Sequence, residues 1–398
     1  MASALIESRI RSLRAYCEAE NFEGWDPYDG LNSPIIQKTP LRRLPLARLA
    51  WIQLFKRSPI NLRPFTGVAK GANPKGLGLF LTTYCNLARV GDKQAETQVE
   101  PLAERILELV TPGYPGACWG YNFDWQSRAF FLPAGTPTVV ASSFVARALM
   151  DAYDLCGETR YLEAALSCCD FMTKSLNRTE KPEGFIFSYS AEDTTRVYNA
   201  SLLGSLLLAR AWSYDQRPEW RRLALESARA VAARQREDGA WRYGELDLQS
   251  WVDSFHTGYN LECLAGVGRF LETDEFTEVI RVGTHYYLDH FFLEDGTPKY
   301  YDDRVYPIDV HAPAQLPPTL AALGMLQDQS ALVERVLHWA FTHLWDERGF
   351  LKYQIKRGMT SRIPYMRWAQ AWMLYGTSFY LAGRRPHGQP SGKSFNNC

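Results

Sequence analysis

Residues 235–271, QREDGAWRYGELDLQSWVDSFHTGYNLECLAGVGRFL, contain one unit of the pattern that determines the fold. A charged helix ends before Gly239, a short segment of glycine and aromatic residues follows, and a second helix of small and apolar residues comes next. The same order recurs around Gly184, Gly296 and Gly349, so that successive glycines are 55, 57 and 53 residues apart. A period of this length fits one helical hairpin with its loops.

The repeat contains two kinds of helix. The helices after the glycine segments carry few charges and are apolar nearly all round, as in LLGSLLLA (202–209), so both of their faces need to be buried. The alternate helices carry charged stripes, which predicts one solvated face. We therefore predict an all-α (α/α)6 toroid, a single domain of six helical hairpins in a closed ring. Its inner helices lie at about 76–89, 137–154, 196–213, 255–271, 308–326 and 365–382, and its outer helices at about 40–57, 94–110, 158–177, 217–236, 274–292 and 329–345.

The ends of the chain differ from the repeat. Residues 1–35 are expected to form an N-terminal helix and a lead-in, residues 36–383 the toroid domain, and residues 384–398, rich in Gly, Pro, Ser and Asn, a flexible tail. The first residues have no signal-peptide apolar region, and no apolar run reaches about 18 residues, so we expect no membrane span and a cytoplasmic protein. The eight cysteines include no CxxC pair, which favours reduced thiols.

Composition narrows the classes of function. Lys plus Arg and Asp plus Glu both total 44, and this balance argues against a basic nucleic-acid surface and a polybasic membrane anchor. The 12 Trp, 21 Tyr and 20 Phe include many that stand beside glycine in predicted loops. Such aromatic residues predict a cleft that stacks on flat or ring-shaped ligands.

Polar residues cluster at the starts of five predicted inner helices. In a ring of hairpins, the loop before each inner helix and that helix's first turn face the same end, so their side chains converge on one cavity, here called the mouth. Charged residues at the start of an apolar helix are unfavourable to bury without a partner, so they form either salt bridges or a functional site. Because polar residues cluster in the same way at the starts of five inner helices, a functional site is favoured.

Two histidines in the mouth suggest acid–base chemistry. His256 and His311 each begin an inner helix near a carboxylate, and a histidine beside a carboxylate can act as general acid or base, although helix capping is an alternative role. The predicted catalytic residues are His256, Tyr259, His311, Asp253 and Asp124. The predicted substrate-binding residues are amide, charged or aromatic side chains at the entrances to the same inner helices: Trp125, Arg128, Arg196, Asn199, Trp241, Tyr243, Glu245, Asn260, Tyr300, Tyr301, Asp309, Gln315 and Arg367. No third His or Cys joins the two histidines at a telling spacing, and we expect neither metal nor cofactor.

The segment QREDGAW (235–241) resembles the QW repeat of squalene cyclases and related prenyl-handling toroids. That resemblance implies a structural staple between helix ends and supports the toroid. The Asp-x-Asp-Asp acid motif of those cyclases is absent. The resemblance therefore does not extend to terpene chemistry.

A broader resemblance is to the VpsJ-like toroid proteins of exopolysaccharide and capsule biosynthesis clusters. It rests on GWDPYDGLNS (24–33), FDWQSR (123–128), DSFHTGYNLECL (253–264) and YPIDVHAPAQ (306–315). FHTGYNLECL is also similar to a signature of glucuronyl C5-epimerases. These resemblances imply a polysaccharide setting and an oligosaccharide or polysaccharide substrate.

Four hypotheses remain open at this point. The first is an enzyme that acts on a uronic-acid-containing glycan by lyase or epimerase chemistry, which needs a base and groups that stabilise charge on the carboxylate. The second is a glycoside hydrolase, which needs two carboxylates at defined separation. The third is a non-catalytic glycan-binding or assembly protein, and the fourth is a terpenoid cyclase or prenyl-binding toroid. The sequence favours the first and leaves the oligomeric state open.

Overall fold

The computed structural model describes residues 2–384. Twelve of the fifteen helices in this range alternate between an inner and an outer ring. Residues 385–398, where we predicted a flexible tail, lie outside the described residues. The helices are α1 Ala2–Ala19, α2 Pro34–Gln37, α3 Pro45–Arg57, α4 Arg63–Thr66, α5 Pro74–Arg89, α6 Lys93–Glu108, α7 Val139–Cys156, α8 Thr159–Lys174, α9 Tyr198–Tyr214, α10 Pro218–Ala232, α11 Ser254–Phe270, α12 Thr277–Phe291, α13 His311–Ala322, α14 Ser330–His343 and α15 Trp372–Gly383, the last preceded by a π-helical turn, Met366–Ala371.

Six inner helices close the ring. Each of α5, α7, α9, α11, α13 and α15 packs against the next, and α15 packs back against α5. Helices α6, α8, α10, α12 and α14 pack outside them, each against the inner helix that precedes it. Inner helices are buried on nearly all sides, as their low charge predicts. The all-α (α/α)6 toroid is therefore confirmed, with inner helices within a few residues of their predicted positions.

The repeated glycines explain the period of the sequence. Gly184 has φ +147° and Gly239 has φ +96°, values that side chains bearing a Cβ rarely adopt. A Cβ at Gly184 would lie 2.0 Å from the Glu226 carbonyl oxygen, and one at Gly239 would lie 2.6 Å from that of Val282. Each glycine thus lets the segment between two helices pass against the backbone of the next outer helix.

The sixth outer helix is not the one that we predicted. We assigned that place to residues 40–57, whereas α1 packs against α14 and α15 on the outside of the ring. The repeat glycine Gly349 lies against α1, with Ser12 O 3.7 Å from the place of a Cβ, just as Gly184 and Gly239 lie against α10 and α12. The prediction failed because α1 is separated from its inner helix α5 by an insertion.

That insertion, residues 20–73, is here called the mouth segment. It contains α2, α3, α4 and two 3-10 turns, Asp29–Asn32 and Pro40–Arg43. Two buried arginines fasten it: Arg367 at the start of the last inner helix binds Asp26 at 2.7 and 2.8 Å, and Arg63, which pairs with Asp29 inside the segment, donates to Tyr365 Oη at 3.0 Å. The mouth segment is therefore fixed at the end of the ring where the inner helices begin.

Short strands shape the loops between helices. The antiparallel pairs are β1 Trp125–Gln126 with β2 Phe131–Leu132, β3 Arg178–Lys181 with β4 Gly184–Phe187, and β6 Trp345–Asp346 with β7 Phe350–Leu351. A three-stranded sheet has the order β5 Ile308–Asp309, β8 Gln354–Lys356, β9 Met359–Ser361. A 3-10 turn, Asp247–Gln249, precedes α11.

The QW-like segment acts as a staple. Gln235 donates from Nε2 to the carbonyl oxygens of Gly239 and Val279, at 3.1 and 2.9 Å, and so joins the end of α10 to α12. Trp241 is buried and donates to the Val231 carbonyl at 3.2 Å. The seven cysteines within residues 2–384 are free thiols, and none of the helices there has the length and apolar character needed to span a bilayer.

Candidate functional site

An aspartate–histidine dyad lies at the start of α11. Asp253 caps this helix, accepting a hydrogen bond through Oδ1 from the His256 backbone N–H at 3.0 Å. Its Oδ2 lies 2.7 Å from His256 Nδ1 and also accepts from Trp251 Nε1 at 2.9 Å. A carboxylate at this position requires Nδ1 to carry the proton, so Nε2 is left as the basic nitrogen.

His256 is the member of the dyad that solvent reaches. Its side chain is 20% exposed, whereas that of Asp253 is fully buried. Among the described residues, no group forms a hydrogen bond with His256 Nε2. The imidazole is therefore oriented by a buried carboxylate on one side and free on the other, the arrangement that a general base needs.

Aromatic rings surround the dyad. Tyr243 stacks on Trp251 with centroids 4.6 Å apart and an interplanar angle of 14°, and it lies 4.6 Å from the His256 ring. Tyr300 packs edge-on against Phe255. These half-buried rings give the mouth a flat wall beside His256 of the kind that sugar rings stack on.

A buried tyrosine–histidine pair lies one helical turn deeper. Tyr259 Oη is 2.6 Å from His311 Nε2, and both side chains are at most 3% exposed. Burial raises the pKa of Tyr259 well above its usual value and lowers the pKa of His311 well below its own. Both groups are therefore neutral: the hydroxyl donates to Nε2, and the His311 ring proton resides on Nδ1, which is buried with no hydrogen-bond partner.

Asp309 positions His311 and is itself fully engaged. Its Oδ1 accepts from the His311 backbone N–H at 3.0 Å and from Trp368 Nε1 at 2.9 Å, and its Oδ2 accepts from Gln354 Nε2 at 3.0 Å. Burial raises the pKa of Asp309 to about 6 despite these hydrogen bonds. Its surroundings leave it no contact with a substrate.

Lys75 is a site residue that the sequence analysis missed. It lies in the first turn of α5, 4% exposed, with Nζ 4.3, 5.7 and 5.0 Å from the ring centroids of Phe144, Tyr259 and Trp372. Burial lowers the pKa of Lys75 well below its usual value, and the Arg367 guanidinium lowers it further. A lone Lys in the apolar stretch NPKGLGLFL was the signal available in the sequence.

The mouth segment brings a second cation to the mouth. Lys56 on α3 donates to Tyr28 Oη at 2.8 Å and lies 5.9 Å from the Trp368 ring. Burial lowers the pKa of Lys56, but the Tyr28 hydroxyl and the carboxylate of Asp309 outweigh burial and leave the pKa above its usual value. Lys56 therefore keeps its positive charge beside the Tyr28 and Trp368 rings.

Several predicted binding residues lie at the mouth but are engaged elsewhere. Arg367 is held by Asp26, as described above. Arg196 and Lys181 both bind Glu245, which holds the pKa of Glu245 below its usual value despite partial burial. Salt bridges within the protein therefore occupy three of the predicted substrate-binding residues, Arg196, Glu245 and Arg367.

The remaining predicted residues divide by location. Asp124 accepts from Gln37 Nε2 at 3.1 Å and from the Ala134 backbone at 2.8 Å, and it makes no contact with the histidines. Trp125 packs among Tyr28, Tyr121, Phe130 and Tyr189, and Arg128 is exposed in the following turn. Trp241 lies in the helix staple instead of the mouth. Tyr301 contacts Tyr300 and the Arg304 guanidinium.

Predicted amide residues place unpartnered polar atoms in the interior. The side-chain oxygens of Asn199, Asn260 and Gln315 are buried without a hydrogen-bond partner. Gln315 Nε2 donates to Glu262, which also binds Arg147 at 2.8 Å. Buried acceptors of this kind are ordinarily satisfied by water or by a ligand group.

No model of a known protein family matches this sequence, and no curated protein does. Solved structures resemble it in fold. The cellobiose 2-epimerase of Bacillus thermoamylovorans B4167 has a TM-score of 0.63 at 12% identity, over 79% of this chain and 88% of that one. A GH76 α-mannanase of Bacteroides thetaiotaomicron has a TM-score of 0.60 at 12% identity, over the same shares. An unsaturated glucuronyl hydrolase specific for heparin has a TM-score of 0.55 at 15% identity, over 80% and 88%. Likeness at this identity establishes the fold.

Proposed function

We propose that this protein is a carbohydrate-active enzyme that moves a proton at a sugar carbon next to a carboxylate, as a uronate epimerase or lyase. The observation that carries the proposal is the Asp253–His256 dyad with its free Nε2, one helical turn from the neutral Tyr259–His311 pair. The solved structures with the same fold include an epimerase and a glucuronyl hydrolase, which supports a glycan substrate.

The chemistry assigns a role to each group. His256 Nε2 takes the proton from the carbon, and Asp253 stabilises the imidazolium that results. Charge then develops on the adjacent carboxylate, and the Lys56 ammonium is the available cation to stabilise it. In an epimerase, Tyr259, backed by His311, returns a proton to the opposite face. In a lyase, Tyr259 protonates the departing glycosidic oxygen.

A glycoside hydrolase is the weaker alternative because the candidate carboxylates are already bound by other groups of the protein. Asp253 holds His256 and Trp251, and Asp309 holds three donors. Glu245 is bound by two cations, and Asp124 closes a loop. Asp193 accepts from the backbone N–H groups of Ser190 and Thr195 at 2.7 and 2.8 Å. No two of these five carboxylates are free to face a glycosidic bond from opposite sides, as hydrolysis requires.

The setting that we propose is polysaccharide metabolism, as the VpsJ-like sequence segments imply, with the protein in the cytoplasm. The test is to incubate the protein in D2O with acidic oligosaccharides and to follow product mass, configuration by NMR, and absorbance near 232 nm, roughly where an unsaturated uronate absorbs. Deuterium uptake with inversion identifies an epimerase, and a rise in absorbance with chain cleavage identifies a lyase. Cleavage by water without either signal rejects the proposal, as does glycan binding without turnover, the result expected of an assembly protein.

A further inference from the structure

The chain is locally basic over most of the mouth segment and through α5. Between Asp29 and Asp92 the sequence contains ten Lys and Arg residues and not one Asp or Glu, although basic and acidic residues balance at 44 each overall. Five of these cations are exposed; Lys70 pairs with Glu20, and the other four are Lys38, Arg42, Arg43 and Arg57. None of the four forms an ion pair with any residue in the described range 2–384. This part of the protein therefore has a basic surface although the charge of the whole chain is balanced.

The same stretch exposes apolar side chains. Within residues 2–384, eleven large hydrophobic side chains are exposed, and seven of them lie between residues 35 and 65. Their exposed fractions reach 82% for Leu46 and 78% for Phe65. The seven are Ile35, Leu41, Leu44, Leu46, Leu54, Ile60 and Phe65. We call this set, with the four exposed cations, the apolar–basic face.

Helix α3 shows how the face is built. Ile52 and Phe55 are buried and hold the helix on the mouth segment. Leu46, Ala50 and Leu54 are spaced by four residues, so they share one side of α3, and all three are exposed. Arg57 follows at the end of the helix, and Arg42 and Arg43 precede it. An apolar stripe flanked by free cations thus points away from the protein.

We propose that the apolar–basic face docks on the surface of an anionic lipid bilayer. Leucine, isoleucine and phenylalanine side chains gain by entering the boundary between headgroups and acyl chains, and arginines beside them bind anionic headgroups. The charge of the face, four exposed cations without an acidic partner in residues 2–384, complements such a surface. Docking would be peripheral, and it would turn the mouth toward the bilayer. The proposal is independent of which reaction the mouth carries out.

The experiment is sedimentation of the full-length protein with vesicles. One set consists of phosphatidylcholine alone and the other of an equimolar mixture of phosphatidylcholine and phosphatidylglycerol. We expect binding to the anionic vesicles that weakens as salt is added. The double variants Leu46→Glu/Phe65→Glu and Arg42→Gln/Arg43→Gln are each expected to lower the partition coefficient about tenfold or more.

Matched control variants test whether a loss of vesicle binding is a general effect of changing surface charge. Leu109→Glu/Leu293→Glu alters two side chains of 37% and 40% exposure on the outer ring, and it should bind like the wild type. Arg222→Gln/Arg281→Gln removes two exposed cations on α10 and α12 and serves the same purpose. Circular dichroism checks that each variant is folded.

Three results would overturn the proposal. The first is failure of the wild type to bind anionic vesicles at low salt. The second is equal loss of binding in the face variants and in the matched variants. The third is a concentration-dependent dimer that the Leu46→Glu/Phe65→Glu change abolishes while vesicle binding persists, which would make the face an interface between copies of the chain.

Discussion

Replacement of Asp253 by asparagine tests the role of the dyad with little change in shape. If the amide oxygen keeps the Oδ1 position, it still caps α11, but the amide nitrogen then faces His256 Nδ1 and Trp251 N–H, where a carboxylate oxygen accepted from both. Because Nδ1 of His256 must then accept a hydrogen bond from the amide, the ring proton moves to Nε2. Nε2 therefore no longer serves as base. Activity should fall about 10²- to 10⁴-fold.

The same change should lower the free energy of unfolding by about 1–3 kcal/mol, because a buried charge-assisted acceptor is lost. The assay compares the rate of deuterium uptake into the sugar with thermal unfolding of the same preparation. Asp92→Asn is the matched control, since Asp92 also caps a helix, α6, and binds a cation, Arg14, far from the mouth. Unchanged deuterium uptake by Asp253→Asn would refute our account and leave Asp253 as a helix cap alone.

Three further changes test other parts of the structure. Lys75→Met should leave stability equal or raise it by about 1 kcal/mol, because a buried amine whose pKa is held well below its usual value is replaced by an apolar side chain; a clear loss of stability in thermal unfolding would contradict this. Gly184→Ala should destabilise the fold by about 2 kcal/mol or more beyond Gly157→Ala, since Gly157 also has positive φ but nothing within 4 Å of a Cβ; equal losses in denaturant unfolding would contradict the packing argument. Asp309→Asn should gain up to about 3 kcal/mol of stability relative to the wild type as pH rises from about 4 to above 6. The sign follows because the folded wild type binds this proton more tightly than the unfolded chain does; a pH-independent difference would contradict it.

The ring could be predicted from the sequence because its causes are local. Gly184 and Gly239 each meet the outer helix of the next hairpin, so the same steric requirement recurs once per period. The role of α1 could not be predicted in this way. Its partners α14 and α15 are more than 300 residues away, and the inserted mouth segment breaks the period between α1 and α5.

The candidate site was predictable where its contacts join residues that are close in the sequence, and not where they join different helices. Asp253 and His256 are three residues apart at a helix start, a spacing that brings a cap and a ring together. The contact between Tyr259 and His311 joins two helices, and sequence placed both in the mouth without pairing them. Arg367 looked free because its partner Asp26 lies 341 residues earlier.

The measurement that tests the central claim most directly is deuterium uptake from D2O into an acidic oligosaccharide by the wild type and by His256→Gln. Our account predicts that the wild type either takes up deuterium at the carbon beside the carboxylate, as an epimerase, or loses the hydrogen of that carbon with a rise in absorbance near 232 nm, as a lyase. Either rate should fall about 10²-fold or more in the variant at unchanged thermal stability. Uptake that persists in His256→Gln would contradict the assignment of the base. Turnover that incorporates solvent oxygen without deuterium would contradict proton transfer at carbon altogether.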